Sequence, residues 1–530
     1  MTRRAFKRST RLLIAWVGPI GFMLLIALPS ARAQSNPFPD GVASAEVTSR
    51  EAIVWTRLAE PGLVTAEVST DPTFSHGIQR KFGQARVEDD LTVQLQVNRL
   101  TPQTTYYYRF GTPAGAVSEV GVFKTAPRQT VSAPVRFVFT GDSDGTRIPG
   151  TDQRIFGDFK VLDAARRDNP DFFVYLGDTI YADSEAGAAL GIPPASDLNG
   201  FRARYKENRQ VPALRSLLAS TSTYAIWDDH EVRDNFSGTA TDPNLVAAGL
   251  KAFKEYFPIR ENPFSPNILY RKFRWGKDAE LFILDERMFR SPNVPNACLT
   301  AAGTPDLAPT LGLGSLPSEV TRLRLPFGLP ELTSPDCIAA LADPARTFLG
   351  KAQFYWLLFS LSLSDATFKF IVNELPVSEL FLMPYDRWEG YLAERTQLLE
   401  LIRALPIKNV IFLTTDLHGN IILDVRINRF LDPKPVAKEV IAGPIATTTF
   451  KTELQKAGAD PALVETLLAT LDQPSCIQID QYSYGLVEVD VASQPKKVTI
   501  TVKDENGQTV MSTTPPGPCQ VVITEGEFPN

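Results

Sequence analysis

Histidine, cysteine and positive charge are all in short supply in this chain. It contains three histidines and four cysteines among 530 residues, and its formal net charge is −6. The cysteines have no zinc-finger spacing, and so few imidazoles argue against a histidine-rich zinc centre. The lack of a basic excess leaves little charge for neutralising nucleic-acid phosphates. No nucleic-acid-binding face is therefore expected.

Long apolar runs are also lacking beyond the first thirty residues, so no later segment is predicted to span a membrane. Near the start, basic residues precede an apolar run at residues 12–28, and Ala31-Arg32-Ala33 offers a cleavage pattern. Residues 1–33 are predicted to be a signal peptide rather than a permanent membrane span. Arg3 and Arg4 resemble the paired arginines of a twin-arginine signal, so we expect transient contact with that export machinery. The mature protein is expected in a periplasm or outside the cell.

Short strands and turns fill residues 36–128. Strand patterns at residues 52–55, 64–68, 91–95 and 106–110, without helical periodicity, predict a small β-sandwich domain. Residues 100–108 resemble part of a fibronectin type III-like module, in which a tyrosine packs against the preceding turn. The aromatic run Tyr106-Tyr107-Tyr108 is interpreted as core rather than as a platform for a ligand.

The pattern changes after Pro134. Apolar runs at residues 135–139, 172–176, 281–284, 368–372 and 410–413 alternate with helical patterns at 155–167, 201–218, 351–363 and 391–405. Such alternation predicts a layered α/β domain over residues 134–530. Its later part, with alternating strands at 482–490 and 497–504, is predicted to be sheet-rich and antiparallel.

Residues 291–343 are rich in proline, leucine and glycine and show little periodicity. A loop of this length inside a domain is usually functional, so we expect an ordered cover over the site. An exported protein can oxidise its cysteines. The simplest of three possible pairings joins Cys298 to Cys337, across this loop, and Cys476 to Cys519.

Polar side chains directly follow five of the predicted strands. In open α/β sheets, side chains just past the carboxyl ends of strands converge on one crevice. Close-packed carboxylates cannot all stay ionised without positive charge, and the neighbouring sequence supplies few lysines or arginines. Two metal ions about 3.5–4 Å apart are therefore the expected counter-charge. The residues concerned are Asp142, Asp178 with Tyr181, the run 228–231, Asn373 with Glu374, and Asp416 with His418.

Each motif alone has an ordinary structural interpretation. A Gly-Asp pair after an apolar run is usually a turn, and Asp228 or Asp229 could cap a helix. However, two of the three histidines, His230 and His418, lie in these acidic motifs. Five such strand endings in order therefore favour the functional interpretation.

The ordered motifs resemble those of the calcineurin-type metallophosphoesterases, and most closely the alkaline phosphatase D family. They are residues 141–142, 177–181, 227–231 and 416–418, supported by 284–290 and 386–395. The resemblance extends to the sandwich and so covers nearly all of the mature chain. It implies a phosphoesterase that hydrolyses phosphate monoesters or diesters with a metal-activated hydroxide.

The resemblance also implies a role for each matching residue. Asp178 would bridge two metals. The first metal would also be bound by Asp142, Tyr181 and Asp416, and the second by Asp229, Asn373 and His418. His230 would not bind metal, but would protonate or stabilise the leaving oxygen.

Asp142 departs from the alkaline phosphatase D pattern, which has a cysteine at this position. An aspartate here is similar to the purple acid phosphatases, which also have a tyrosine three residues after the bridging aspartate. Asp144 is interpreted as a turn residue. An oxygen-rich donor set favours Fe³⁺, Ca²⁺, Mn²⁺ or Mg²⁺ over Zn²⁺. The resemblance implies iron with calcium, and manganese or magnesium are alternatives.

Two alternative functions stay open at this point. One is a phospholipase D-like phosphodiesterase, which would use the same site on diesters. The other is a non-catalytic exported protein that holds calcium and a polyanion. His230 favours an enzyme, because a purely structural site has no need for a histidine that binds no metal.

Overall fold

Two large β-sheets packed face to face form the centre of the protein in this computed structural model, and a smaller sheet covers part of one of them. The structure describes residues 36–261, 265–299, 335–380, 385–428, 432–456 and 460–527. The predicted signal peptide, residues 1–33, and most of the predicted cover, residues 300–334, lie outside the described residues.

Twenty-two strands, ten α-helices and three short 3₁₀-helices make up the described secondary structure. The strands are β1 (Val42–Ala45), β2 (Ala52–Arg57), β3 (Gly62–Ser69), β4 (Gln79–Ala85), β5 (Thr92–Val97), β6 (Thr105–Gly111), β7 (Gly121–Lys124), β8 (Val135–Thr140), β9 (Phe172–Leu176), β10 (Ser222–Ile226), β11 (Arg271–Trp275), β12 (Ala279–Ile283), β13 (Phe368–Val372), β14 (Val410–Thr414), β15 (Asn420–Asn428), β16 (Asp432–Ile441), β17 (Cys476–Gln478), β18 (Ser483–Asp490), β19 (Lys497–Asp504), β20 (Met511–Ser512), β21 (Gly517–Pro518) and β22 (Gln520–Thr524). The helices are α1 (Lys160–Arg167), α2 (Glu185–Ala189), α3 (Leu198–Arg209), α4 (Pro212–Ser220), α5 (Pro243–Tyr256), α6 (Pro335–Leu341), α7 (Lys351–Leu363), α8 (Leu392–Ala404), α9 (Phe450–Lys456) and α10 (Pro461–Asp472).

The first large sheet has nine strands in the order β22-β19-β18-β8-β9-β10-β1-β2-β5. Its centre, β8 to β10, is parallel, whereas β18, β19 and β22 pair antiparallel, as predicted for the later part of the chain. The second sheet has seven strands in the order β11-β12-β13-β14-β16-β15-β17 and is parallel from β12 to β16. The predicted layered, sheet-rich α/β fold is thus confirmed.

Aromatic side chains fill the space between the two large sheets. Phe137 on β8 stacks on Phe172 at 4.6 Å between ring centroids and meets Phe370 of the second sheet edge-on at 5.2 Å. Apart from Arg136 on β8, the residues of the central strands of both sheets are buried, which explains their apolar runs. Because the two sheets are held together by this core, the carboxyl ends of β8, β9, β10 and β14 can supply one site.

The N-terminal strands form the predicted sandwich. The sheet β4-β3-β6-β7 packs on β1, β2 and β5, and Tyr106 and Tyr108 belong to the shared core as interpreted, whereas Tyr107 between them is half-buried and outside it. The hydroxyl of Tyr106 accepts a hydrogen bond from the backbone N–H of Thr101 at 2.9 Å, so this tyrosine does pack against the preceding turn. Strand β1 also pairs in parallel with β10. The sandwich therefore shares a sheet with the remainder of the protein.

Two helix predictions were wrong in detail. The pattern at residues 201–218 forms two helices, α3 and α4, because Pro212 has no N–H to continue the first one and instead begins the second. The pattern at 155–167 becomes helical only at Lys160, after Phe159 adopts a left-handed φ of 57°. Both predicted disulfides, Cys298–Cys337 and Cys476–Cys519, are present. Within the described residues, every helix is too short or too polar to cross a bilayer.

Candidate metal centre

The turns that follow three central strands have an unusual backbone. Asp142 after β8, Asp178 after β9, and Asp416 and His418 after β14 all have φ between 47° and 63°. Residues with side chains rarely adopt this left-handed conformation, and where they do the surrounding structure compensates the strain, often at functional sites. The turn after β14 is anchored, since Leu417, between Asp416 and His418, is fully buried in a hydrophobic cluster. These turns direct the polar side chains away from the strands.

Two groups of ligand atoms lie at this edge and share Asp178. Asp142, Asp178 and His418 form one, and Asp178, Asp229 and His230 form the other; within each group, the potential ligand atoms lie within 4.8 Å of one another. A cavity of about 680 Å³ opens onto them, lined by Asp178, Tyr181, Asp229, His230, Asp416 and His418 among others. The sequence prediction that these side chains converge is thus met for most of the set.

The first group includes a histidine that is held firmly in place. The Nε2 atom of His418 lies 2.9 Å from the hydroxyl of Tyr181, and its Nδ1 atom lies 2.6 Å from Glu453 Oε1. Neither carboxylate oxygen of Asp142 has a hydrogen-bond partner of normal geometry among the described residues, although the side chain is buried. Gly443 permits this packing, because a Cβ there would lie 2.8 Å from Asp142 Oδ2.

The electrostatics of this group fit a cation. Burial raises the pKa of Asp142 to about 7, with a further contribution from the charge of Asp416. Burial, together with the charges of Asp229 and Asp228, raises the pKa of Asp178 well above its ordinary value. The pKa of the Tyr181 phenol is raised by burial and by Asp178 and Asp142. Buried oxygens that resist ionisation in this way need a nearby positive ion to ionise, so the donor set fits a metal.

In the second group, positively charged side chains of the protein already lie near the carboxylate of Asp229. Asp229 Oδ2 accepts a hydrogen bond from the backbone N–H of Asn235 at 2.5 Å, and its Oδ1 lies 3.6 Å from Arg287. Burial raises the pKa of Asp229, but Arg287 and His230 more than offset it, so the pKa lies below its ordinary value. These positive charges favour the ionised form of Asp229, which is the form that binds a metal.

His230 is oriented by three contacts. Its backbone N–H donates to Asp178 Oδ1 at 3.2 Å, and its ring stacks on Tyr181 with centroids 4.2 Å apart. Its Nδ1 atom lies 2.6 Å from Asp183 Oδ1. Because a carboxylate only accepts hydrogen bonds, Nδ1 carries the proton in this contact. Burial lowers the pKa of His230, but Asp178, Asp229 and Asp183 raise it well above its ordinary value.

The structure groups the candidate ligands differently from the implied division between two metals, which stays a prediction. His418 was assigned with Asp229, but it lies with Asp142 and Tyr181. Asp416 was assigned to the first metal, yet its carboxylate faces the arginine Arg287, which also contacts Asp229.

Asn373 is not among the residues lining the cavity. Its Oδ1 atom accepts a hydrogen bond from Trp388 Nε1 at 3.0 Å, and its Nδ2 atom donates to Leu375 O and Thr414 Oγ1. Its role as a ligand stays a prediction. Asp144 accepts a hydrogen bond from the Thr146 N–H within its turn and another from the Ser184 hydroxyl, 40 residues away, and it also lines the cavity. Its interpretation as a turn residue stays a prediction.

Sequence reasoning missed the groups that support the ligands. Asp183, which orients His230, lies only two residues after Tyr181, and its nearness to that motif was the available signal. Arg287, Arg290 and Arg387 lie in the segments 284–290 and 386–395 that supported the family resemblance, and this was the available signal for them. Glu453 gave no such signal, because it reaches the site from a distant part of the chain. The expected shortage of protein cations near the carboxylates was therefore wrong.

Comparisons with known proteins place the chain in a family. The sequence matches the family model of the PhoD-like phosphatases over residues 149–500, and that of the PhoD-like phosphatase N-terminal domain over residues 25–127. Alkaline phosphatase D of Bacillus subtilis (strain 168) is 26% identical over 426 residues, which cover 73% of this chain and 65% of that protein. The match thus spans somewhat less than two thirds of the relative.

Two solved structures share the fold. One, described as the structure of PhoD, has a TM-score of 0.69 at 22% identity and covers 93% of this chain and 90% of that chain. The other, the purple acid phosphatase PPD1 from yellow lupin (Lupinus luteus) seeds, has a TM-score of 0.54 at 11% identity and covers 92% and 75%. At these identities the likeness is one of architecture.

Proposed function

We propose that this chain, which belongs to the PhoD-like phosphatase family, is an exported, metal-dependent phosphoesterase. The observation that carries the proposal is the pair of ligand groups that share Asp178 at the floor of one cavity. One cation would be held by Asp142, Asp178, Tyr181 and His418. The other would be held by Asp178, Asp229 and Asp416, with Asn373 as a further predicted ligand. When bound, the cations supply positive charge that polarises a phosphoryl group and lowers the pKa of water.

The protein itself supplies a proton for the leaving group. In ester hydrolysis, water adds to phosphorus and the bond from phosphorus to the alcohol oxygen breaks, leaving that oxygen in need of a proton. His230 lines the cavity and keeps its Nδ1 proton on Asp183, so Nε2 is the atom that donates to the leaving oxygen. Asp183 in turn accepts a hydrogen bond from the Asp234 N–H at 2.7 Å and stays fixed. Acting through His230, Asp183 is a positioning residue.

Hydrolysis of p-nitrophenyl phosphate and bis(p-nitrophenyl) phosphate by the purified protein tests the proposal. We expect activity that a chelator removes and that added metal restores. Asp178→Asn should abolish activity and reduce bound metal, because it removes the shared charge. Asp152→Asn is the matched control, since Asp152 is fully exposed. If neither ester is hydrolysed with any metal, the alternative of a non-catalytic protein that binds calcium and a polyanion becomes the better account.

The metals are proposed to be iron and calcium, with manganese or magnesium as alternatives. Oxygen atoms dominate the donor set, which suits these ions better than zinc. Coordination of Fe³⁺ by the Tyr181 oxygen would give a visible absorption band, and Tyr181→Phe should remove it. Elemental analysis of the purified protein decides between the ions, and an iron-free, colourless, fully active protein would defeat the iron assignment.

Export by the twin-arginine route is also a proposal, because residues 1–33 lie outside the described part of the chain. The support is the sequence itself, with Arg3 and Arg4 before an apolar run and a cleavage pattern. Replacing both arginines by lysine should hold the precursor inside the cell. Normal secretion of that double variant would exclude this route and leave export by another route intact.

A further inference from the structure

Arg387 stands on the cavity wall beside the proposed metal ligands. It lies between Asp386 and the 3₁₀-helix Trp388–Tyr391, and it is one of the residues lining the cavity. Its Nε and Nη2 atoms are both 3.4 Å from Asp416 Oδ2. The side chain is 8% exposed, so its guanidinium is largely removed from bulk solvent. A cation in such a place interacts strongly with an anion that enters the cavity.

The neighbouring arginines have a different use. Arg287 and Arg290 have fully buried side chains and both pair with Asp386, and neither lines the cavity. Arg287 also pairs with Asp228, and Arg290 donates to backbone carbonyls of Asn235 and Phe236. These two arginines neutralise and brace the carboxylates behind the site. Apart from the histidines, the cations among the described cavity-lining residues are Arg387 and Lys456.

Lys456 provides a useful comparison, because it brings the same charge without the same geometry. It is the last residue of α9, and its amine lies 3.5 Å from the Thr448 hydroxyl in an exposed position. An ammonium acts as a flexible point charge, whereas a guanidinium offers two parallel N–H groups that match two oxygens of a phosphoryl group. Only Arg387 combines low exposure with this fork.

We propose that Arg387 binds non-bridging phosphoryl oxygens of the substrate and sets a preference for phosphate monoesters over diesters. The inference rests on the proposed phosphoesterase function and names its substrate class. The second pKa of a phosphate monoester is about 6, so at neutral or alkaline pH it carries two charges over three equivalent oxygens. A diester carries one charge over two oxygens, and its second organic group occupies the place of the third. The fork of Arg387 therefore gains more from a monoester.

The test compares two substrates with the same leaving group, p-nitrophenyl phosphate and bis(p-nitrophenyl) phosphate, in Arg387→Gln, Arg387→Lys and Lys456→Gln. Loss of a charge-assisted hydrogen-bonding fork should lower kcat/KM for the monoester by roughly 10- to 100-fold in Arg387→Gln. The loss for the diester should be several times smaller. Arg387→Lys should fall between the wild type and Arg387→Gln, and Lys456→Gln should affect both substrates by one modest factor.

A second measurement does not depend on turnover. In Arg387→Gln, the inhibition or dissociation constant for inorganic phosphate should rise by about the factor by which kcat/KM for the monoester falls. The metal content should stay at the wild-type level. Equal losses on both esters, unchanged phosphate affinity, or a fall in metal content would each overturn the inference. In the last case Arg387 would serve to hold Asp416. The inference is also overturned if Lys456→Gln lowers kcat/KM for the monoester, relative to the diester, as much as Arg387→Gln does. The preference would then come from positive charge near the cavity and not from the guanidinium fork.

The outcome separates the inference from the function on which it rests. Wild-type protein that hydrolyses neither ester refutes the proposed function, and phosphate binding by the wild type and Arg387→Gln then still decides whether Arg387 contacts the anion. Wild-type protein that hydrolyses both esters, with a variant that loses both equally, refutes only the inference. If Arg387→Gln does not fold, Arg387→Lys keeps the charge and carries the same comparison.

Discussion

His230 is the residue whose surroundings most constrain its chemistry. Asp183 fixes its tautomer, Tyr181 stacks on its ring, and Asp178 accepts a hydrogen bond from its backbone. Its ring also lies close enough to Asp178 and Asp229 to be a ligand. The non-ligand role implied by the family resemblance therefore stays a prediction, and one variant distinguishes it from ligation.

We expect His230→Ala to lower kcat by roughly 10²–10⁴-fold while bound metal is retained, because a general acid is lost and the ligands remain. The loss should shrink for esters with acidic leaving groups, which need little protonation. Asp183→Asn should cause a smaller loss of the same kind. His76→Ala is the control, since that side chain is 77% exposed. Metal analysis is the check, and loss of metal together with activity would make His230 a ligand.

Gly177 shows how closely the strand ends are packed behind the ligands. Its φ is 71°, and a Cβ added there would lie 2.5 Å from Asp228 Cβ. Gly177→Ala should lower the free energy of unfolding by about 2–5 kcal/mol, which combines backbone strain with steric overlap. Gly150 has a similar φ of 76° with open space around it, so Gly150→Ala should cost only about 1–2 kcal/mol. Denaturant unfolding measures both, and equal costs would mean that the overlap relaxes freely.

At the scale of the elements, the two disulfides close loops of similar length but lie in different parts of the fold. Cys298–Cys337 and Cys476–Cys519 span 39 and 43 residues, so by loop entropy each should contribute about 4 kcal/mol to stability. Cys476 lies on β17 at the edge of the seven-stranded sheet, and Cys519 lies next to β22 at the edge of the nine-stranded sheet. Cys337 instead lies 3.9 Å from the hydroxyl of Tyr385, directly before Asp386 and Arg387.

Replacing both cysteines of one bridge by serine should therefore have different effects on function. The Cys298/Cys337 variant should raise KM for a phosphate ester several-fold, because Tyr385 loses a neighbour next to the cavity wall. The Cys476/Cys519 variant should lose stability and keep its KM. Steady-state kinetics and denaturant unfolding on both variants provide the check, and an unchanged KM in the first would show that the bridge has only a structural role.

At the scale of the whole molecule, the sandwich and the remaining chain share the nine-stranded sheet, to which the sandwich contributes β1, β2 and β5. Trp55 on β2 is fully buried, donates from Nε1 to Glu255 O at 2.7 Å, and lies under the guanidinium of Arg209 at 4.3 Å. The division into domains at 36–128 and 134–530 stays a prediction. From these contacts we expect that residues 129–530 expressed alone will not form a stable protein, and that Trp55→Ala will cost about 3–5 kcal/mol. A soluble, monomeric, fully active 129–530 fragment would contradict this.

A second property of the whole molecule is its response to acid. Asp278 lies just before β12, and Lys496 lies just before β19. The Asp278 carboxylate forms an ion pair with the Lys496 amine, with Oδ1 and Nζ 2.5 Å apart, and it also accepts hydrogen bonds from the hydroxyls of Ser132 and Thr367. Burial raises the pKa of Asp278, but these partners lower it more, so the pKa in the folded state lies below its ordinary value. The carboxylate therefore stabilises the fold above the ordinary aspartate pKa, and this contribution is lost as pH falls through the lower, folded value.

Asp278→Asn should accordingly lower the free energy of unfolding at pH 7 by roughly 1–3 kcal/mol, because hydrogen bonds to a charged group are lost. The difference from wild type should narrow once the pH falls below about 4, where the unfolded aspartate is protonated. Urea unfolding at pH 7 and near pH 3 measures this, and a difference independent of pH would assign the loss to packing instead of charge.

The sequence alone was enough to identify the strands that precede the candidate ligands and the polar residues at the ends of those strands. An apolar run of about five residues that ends in Asp or His is a local signal, and it identified Asp142, Asp178, Asp229, Asp416 and His418. The sandwich and the layered α/β fold followed from equally local patterns, whereas the sequence left three disulfide pairings open and the structure has the simplest of them. These predictions succeeded because burial and strand periodicity act over a few neighbouring residues.

Only the tertiary structure decided which of these groups meet and what surrounds them. Tyr181 and His418 are 237 residues apart, and β1 pairs with β10 across most of the sandwich sequence. His418 and Asp142 follow strands of different sheets and still belong to one group of ligand atoms, and Arg387 reaches the cavity through the packing of the chain around it. Such contacts depend on the packing of whole sheets, so no short stretch of sequence contains them.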